Sequence, residues 1–461
     1  MGNYKFSVQA AIAIILVTVA AIGTCLVMGW SMVFGFWVAI AVTLFMLRKK
    51  GALRDEIIRA LYHGIWACRS IYAVILLIGV TITTWIASGV VPMLIYYGFL
   101  YIEGMNFLLA SFVILMLLSY VLGTAIGTIS TVGVALYGIG IGFGIPQEII
   151  VGTLVSGAFI ADKISPMSGL MNLTLETVGG YYKAYIKEQL KTLSIGIMIA
   201  LVFYFFLGSQ YTTGQLGESA LAFCDGVTSI FHLSPWLVVF PVMVVVLALS
   251  GLSTIRMMSI CAIFGSGVAL FYQHIPFNKL ITWVIHGVSL ESGISAVDGI
   301  IKGGGILPMT EVILIVLSAV ALSSLFELGS VFEPLIGAVV GDTKNPGQLM
   351  SRTAVLSILL TSLTCDQTVG IIVPAKQLKG RFLEVGLTEV QLASVISDSG
   401  TIIAPVEFWN VNALIIMAIF AMNPIHYVPY AVLCYAMPLV VIIKGVIKSK
   451  LDGESRVNSY E

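Results

Sequence analysis

Gly157-Ala-Phe-Ile-Ala-Asp-Lys-Ile-Ser-Pro-Met-Ser168 sets an aspartate and a lysine in an apolar run and follows them with a helix-breaking Ser-Pro. A charge at bilayer depth costs roughly 3 kcal/mol or more. Proline at that depth frees backbone groups that lipid cannot satisfy. A second stretch, Ser397-Asp-Ser-Gly-Thr-Ile-Ile-Ala-Pro405, repeats the combination. Carrying these liabilities in both halves predicts a polar, ion-binding centre framed by discontinuous helices, the arrangement of secondary transporters.

The rest of the chain agrees with a bilayer setting. Of 461 residues, 59% are hydrophobic and 10% charged, against roughly 25% charged in soluble domains. Mean hydropathy is +1.03. Apolar runs of about one bilayer span recur, among them Phe6–Met28, Trp30–Leu47, Tyr72–Gly89, Phe107–Leu122, Thr192–Leu207, Met257–Tyr272, Pro308–Leu325 and Val428–Val446. The expectation is an all-α polytopic membrane protein with about 10–13 helical segments, some broken or re-entrant. Its surroundings are then the lipid bilayer of the cell (inner, cytoplasmic) membrane. A net charge of +0 argues against nucleic acid, which wants a basic face.

Arg48, Lys49, Lys50, Arg54 and Arg59 follow the second run, and Lys444, Lys448, Lys450 and Arg456 follow the last. By the positive-inside rule both clusters, and with them both termini, face the cytoplasm. Lys183, Lys187 and Lys191 read as another cytoplasmic loop. Met1–Lys5 is a weak basic leader and Phe6–Met28 a long run without a convincing cleavage site, which disfavours a signal peptide. Six scattered cysteines fit no metal or disulfide spacing and read as small buried hydrophobes.

An internal echo divides the chain. Ile75–Gly89, the Thr-rich Gly123–Thr128 and the Asp162 segment occur in the same order as Ile313–Gly329, Leu363–Thr368 and the Asp398 segment. Two structural repeats, often of inverted topology, would produce this order. The expected units are 1–70 (N-terminal spans and loop), 71–210 (first transport repeat), 211–305 (connecting segment) and 306–461 (second repeat and tail).

Several side chains bear chemistry. Asp162 reads either as a cation or proton ligand or as a helix end at the membrane surface. Lys163 points about 100° away from it on a helix, so it is a neighbouring counter-charge and a poor direct pair. Asp398-Ser-Gly-Thr401 suits a helix start or an unwound loop. The Ser397, Ser399 and Thr401 hydroxyls also resemble the oxygen shell of a hard cation. Asn410, Asn412 and Asn172 add amide oxygens. Asp366, Gln367 and Glu327 are open between ion chemistry and an interfacial position. Glu407, among Val406, Phe408 and Trp409, is a buried carboxylate able to exchange protons. The five histidines read as interfacial. Thr131-Val-Gly133 is too short to count as a channel filter.

Together these motifs resemble the NhaC-type sodium/proton antiporter family, which includes sodium-lactate/malate antiporters and sits in a broad ion-transporter superfamily. The resemblance runs from about Ile75 to Ala421 and is carried by Trp85-Ile-Ala-Ser-Gly-Val-Val-Pro92, Gly123-Thr-Ala-Ile-Gly-Thr-Ile-Ser130, Asp162-Lys-Ile-Ser-Pro-Met-Ser168, Asp366-Gln367 and Asp398 through Asn410. Asp162, Lys163, Ser165, Pro166, Ser168 and Asn172 match the family's first motif. Its second Asp and two Thr positions are Gly169, Leu170 and Met171 here. Phe408 stands where a Pro is usual, and Glu407 where an apolar residue is usual. Glu407 is therefore a candidate to compensate for the acid missing at Gly169.

The resemblance implies a helical fold and secondary antiport, not an enzyme. Sodium would bind at Asp162 and Asp398 with hydroxyl and backbone oxygens and exchange for protons on the same acids. No cofactor is expected beyond the transported sodium and protons. The alternative is sodium- or proton-coupled transport or exchange of a small organic solute such as a carboxylate or amino acid. An organic anion would need a cationic partner, for which Lys163 and Arg256 are candidates. Pairing of two copies as a homodimer is left open by the sequence. Neither a complete channel filter nor a Gly-Xaa-Gly-Asp or His-Glu-Xaa-Xaa-His protease signature is present.

Overall fold

The computed structural model describes residues 4–101, 104–211 and 218–457. Met1, the middle of the Gln210–Pro235 linker and the side chain of Arg456 lie outside the described set. Two long helices open the chain, α1 (Val8–Met28) and α2 (Met32–Lys49), and α3 (Arg54–Ala67) follows. Ser7 caps α1 by accepting from the Ala10 amide, and Gly29, in the left-handed region at φ 68°, ends it. Apolar side chains on the outer faces, such as Val27, Trp30 and Phe45, are exposed. That surface suits lipid and not water.

The next stretch contains α4 (Arg69–Ala87), α5 (Val90–Tyr101), α6 (Phe107–Leu122), α7 (Ala125–Thr128), a π-helical turn at Ile129–Gly133 and α8 (Val134–Gly142). It continues through α9 (Gln147–Ala158), α10 (Ala161–Ile164), α11 (Gly169–Val178) and the 28-residue α12 (Tyr182–Ser209). A connecting region follows, with α13 (Glu218–Ile230), α14 (Val239–Leu249), α15 (Thr254–Phe271), α16 (Phe277–His286) and α17 (Ser295–Ile300). Its two-residue strands β1 (Val288–Ser289) and β2 (Lys302–Gly303) pair antiparallel.

The last stretch runs α18 (Ile306–Leu328), α19 (Phe332–Val340), α20 (Pro346–Thr364), α21 (Gln367–Glu384), α22 (Glu389–Ile396) and a π-helical turn at Ser397–Thr401. It finishes with a 3-10 turn at Ala404–Val406, α23 (Val411–Phe420), α24 (Pro424–Tyr427) and the 26-residue α25 (Val432–Val457). Ten helical runs among the described residues are long and apolar enough to cross a membrane, or up to 11 if the bent pair Ala220–Ile230 and Pro235–Leu249 is one span. The molecule is an all-α, multi-pass membrane protein with discontinuous helices, as the hydropathy implied.

The two halves share backbone detail as well as order. After α6, Gly123 is left-handed at φ 71° and Thr124 is extended at φ −146°, capping α7. After α20, Cys365 is left-handed at φ 59° and Asp366 is extended at φ −138°, capping α21. Each half then supplies an aspartate, breaks, and restarts on a polar N-cap, Ser168 before α11 and Asn410 before α23. A long helix closes each half, and α12 packs against α25.

Three local expectations change. The three lysines Lys183, Lys187 and Lys191 are not on a loop but on α12. They occupy its exposed face while Tyr185, Glu188, Gln189 and Thr192 are buried on the other. The Asp398 segment is not a helix start. It is a π turn continuing from α22, in which an extra residue per turn displaces the backbone without ending the helix. Glu327 is exposed near the end of α18 and belongs to no buried site.

Candidate functional site

The break after α10 brings the Asp162 segment against the Ser397–Thr401 turn. Lys163 and Asp398, both 0% exposed, form a buried ion pair with Nζ 2.5 Å from Oδ1. The ammonium also donates to the Ser397 carbonyl at 3.1 Å. Lys163 is thus the counter-charge of Asp398 and not of its neighbour Asp162. The helical geometry that turns it away from Asp162 turns it toward the other half.

Asp398 is further held by α12. Gln189 donates from Nε2 to Oδ1 at 2.5 Å, and Thr192 donates from Oγ1 to Oδ2 at 2.6 Å. Tyr185 donates to the Lys163 carbonyl at 2.7 Å, and Tyr182 to the Ile164 carbonyl at 3.0 Å, covering the end of α10. Tyr185, Gln189 and Thr192 recur at helical spacing on one face. Sequence reading missed them, although that polar stripe in an apolar helix was the available signal. Breaking a buried pair by removing one partner costs about 3–5 kcal/mol, so this centre ties the halves together.

The π turn has a close neighbour. A Cβ at Gly400 would lie 2.2 Å from the Ser357 hydroxyl and 2.8 Å from its carbonyl, so only glycine admits this approach of α20. Thr361 donates to the Gly400 carbonyl at 3.1 Å. The Ser399 hydroxyl donates back to Val395 at 2.6 Å, while the hydroxyls of Ser397 and Thr401 and the amide oxygen of Gln189 are buried without a hydrogen-bond partner among the described residues. Unspent oxygens beside a carboxylate are what a hard cation or a trapped water would use.

Asp162 is differently placed. It is 8% exposed and lines a cavity of about 660 Å³ with Thr124, Gly169, Leu170, Asn172 and Asn412, to which Gly251–Thr254 and Met257 also contribute. Its contact with a hydroxyl is the long one from Ser168 at 3.4 Å. No Lys, Arg or His side-chain nitrogen lies within 4.0 Å of its carboxylate oxygens among the described residues. The other members of the motif hold the break open. The Ser165 hydroxyl donates to the Tyr120 carbonyl at 2.6 Å, Ser168 caps α11, and Asn172 donates to the Pro166 carbonyl at 3.0 Å.

A third group lies in the second half. Asp366 acts as a helix cap, accepting from the Thr368 amide at 3.1 Å. Gln367 donates to the Thr401 carbonyl at 2.5 Å and accepts from Asn412 at 3.0 Å. Asn410 caps α23 and donates to Glu407 at 3.2 Å. Glu407 is not among the residues lining the cavity that holds Gly169. Its carboxylate is reached from that cavity through Asn412 and Asn410. Arg256 does not line the cavity either.

The chain is similar to known antiporters. The chain is 28% identical over 375 residues to the Na+/H+ antiporter NhaC of Alkalihalophilus pseudofirmus, covering 81% of each chain. It is 25% identical over 398 residues to a malate-2H+/Na+-lactate antiporter of Bacillus subtilis, covering 86% of this chain and 85% of that one. It is 24% identical over 400 residues to the arginine/ornithine antiporter ArcD of Halobacterium salinarum, covering 85% of this chain and 81% of that one. The model of the Na+/H+ antiporter family matches residues 157–448, which hold both aspartates, the buried ion pair and the long helices that enclose it. The chain belongs to the Na+/H+ antiporter family.

Proposed function

We propose that this protein exchanges sodium for protons across the cytoplasmic membrane, with Asp162 as the group for which the two compete. The observation that supports the reading most is the contrast between the two aspartates. Asp398 has both oxygens engaged by Lys163, Gln189 and Thr192, whereas Asp162 faces a cavity with no cationic partner. A carboxylate there takes sodium when ionised and excludes it when protonated, which makes the exchange obligatory. Asn172, Asn412, Thr124 and backbone carbonyls at the Ser165-Pro166 break are the oxygen ligands at hand.

Lys163 gives the cycle its second element. Its ammonium fills the cation position at Asp398, so Asp398 binds a transported ion only when Lys163 withdraws. Relative motion of the two halves would separate this pair. Proteoliposomes carrying wild type and the variants Asp162→Asn and Asp398→Asn test the reading through sodium-triggered lumenal pH change.

The size of the cavity favours a second reading, exchange of a small organic solute. About 660 Å³ is within the roughly 300–1,000 Å³ of small-molecule sites and exceeds what one ion fills. One carboxylate and no cationic residue line it, so an amine suits it better than a carboxylate anion. Sodium-dependent uptake of amino acids by the same vesicles, without sodium-driven proton flux, would favour this alternative. The basic clusters after the second and the last span support cytoplasmic termini on either reading.

A further inference from the structure

Glu407 belongs neither to the Lys163–Asp398 pair nor to the lining of the Asp162 cavity. It is 9% exposed, and no Lys, Arg or His side-chain nitrogen lies within 4.0 Å of its carboxylate oxygens among the described residues. Its contacts are neutral. Ser362 donates to Oε1, and Asn410 donates from Nδ2 to Oε2 at 3.2 Å. Cys365, at the α20–α21 break, and through it Asp366 are close enough to interact electrostatically with this region. The acids of α18, Glu311 and Glu327, and Arg69 of α4 are exposed, and α1 carries no charge.

The Ser362 hydroxyl has one proton and two oxygens within reach, Glu407 Oε1 and the Ile358 carbonyl at 3.0 Å. With Glu407 ionised, the hydroxyl donates to the carboxylate. With Glu407 protonated on Oε1, the acid donates to Ser362 and the hydroxyl turns to Ile358. Rotation of one hydroxyl therefore satisfies both protonation states, with no movement of the backbone. Asn410 serves Oε2 in either state. Its amide cannot turn freely, because its oxygen accepts from the Asn412 backbone N–H at 3.1 Å, a group that only donates.

Asn412 carries the connection onward. Both amide protons point inward, to Asn410 Oδ1 at 3.2 Å and Gln367 Oε1 at 3.0 Å. Its carbonyl oxygen is the part left for the cavity that Asn412 lines with Asp162. A cation on that oxygen polarises Asn412 and, through it, Asn410, whose hydrogen bond is stronger to a carboxylate than to a neutral acid.

We propose that Glu407 is a second proton-binding site, linked to cation occupancy of the Asp162 cavity through Asn412 and Asn410. The proposal rests on the sodium/proton reading above. When sodium enters, Glu407 Oε1 gives up its proton to solvent and Ser362 turns back to the carboxylate. When sodium leaves, the proton returns.

Sodium-induced infrared difference spectra of the purified full-length protein, with a pH dye recording released protons, test this. Wild type should lose a carboxylic-acid carbonyl band on sodium addition that is absent from Glu407→Gln. Protons released per sodium bound should fall by about half in that variant, as expected when one of two linked sites is removed. Asn412→Ala should keep the band in a pH titration but lose its response to sodium. Identical spectra and proton counts for wild type and Glu407→Gln would overturn the proposal. Should Glu407→Gln fail to fold, Ser362→Ala replaces it, and an unshifted band would count against the proposal equally. A wild-type band that titrates with pH but ignores sodium, while the dye still records sodium-released protons, would overturn the linkage and spare the sodium reading; no proton release on sodium addition would refute the sodium reading instead.

Discussion

Lys163 and Asp398, 235 positions apart, meet at 2.5 Å with neither side chain exposed, so one charge from each half of the chain neutralises the other inside the bundle. Buried ions without partners are so costly that neither half is self-sufficient at this point.

Removing one partner should therefore be worse than removing both. Lys163→Met and Asp398→Asn are each expected to lower stability by about 3–5 kcal/mol. The double variant should recover much of that loss while remaining inactive. Thermal unfolding in detergent, set beside transport in vesicles, checks both halves of the statement. A double variant no more stable than either single one would remove the pair's structural role.

Gln189 and Thr192 hold the Asp398 carboxylate from α12. Gln189→Leu deletes a hydrogen bond to a charged group, a loss of about 1.5–3 kcal/mol. Its transport defect should resemble that of Asp398→Asn. Glu188, bonded on the same helix to Lys191 and Lys444, is the control, and Glu188→Gln should leave sodium dependence unchanged.

Gly169 lines the Asp162 cavity, and a Cβ built there meets nothing within 4 Å. Gly169→Asp should fold normally, since an acid in the first turn of α11 also suits the helix dipole. A second carboxylate in the cavity should tighten sodium binding by about tenfold, or 1.4 kcal/mol. Isothermal titration would show it. Unchanged affinity would mean that the cation does not sit in this cavity.

The two left-handed residues before the capped helices should respond unequally. At Gly123, φ is 71° and a Cβ would lie 2.8 Å from the Met167 carbonyl carbon. Gly123→Ala is expected to cost about 1–3 kcal/mol. Cys365 already bears a side chain at φ 59°, so Cys365→Gly trades lost packing against relieved strain and should stay within about 1 kcal/mol of wild type. Unfolding midpoints of the two variants decide the matter.

The helical membrane class was legible because about ten apolar runs leave few other solutions, and the Ser-Pro after Lys163 and the Ala-Pro after Asp398 marked the breaks. Asp162 and Asp398 stood out because charge is rare in such runs. Their division of labour was not legible, since it depends on which acid Lys163 reaches across 235 positions. Gln189 and Thr192 were hidden because the nearby lysines made the start of α12 look like a loop. The π turn at Ser397–Thr401 escaped notice because Asp, Ser and Gly also compose caps and turns. Glu327 was open between ion chemistry and an interfacial position beside Gly329, and its exposed place on α18 agrees with the second.

The most direct test of the central claim is proton flux in proteoliposomes loaded with a pH dye, with sodium pulses applied to wild type and Asp162→Asn. The account predicts a sodium-triggered lumenal pH change in wild type that is abolished in Asp162→Asn. A wild-type response that survives intact in Asp162→Asn would contradict the assignment of Asp162, and no response in wild-type vesicles competent for other transport would contradict sodium/proton exchange itself.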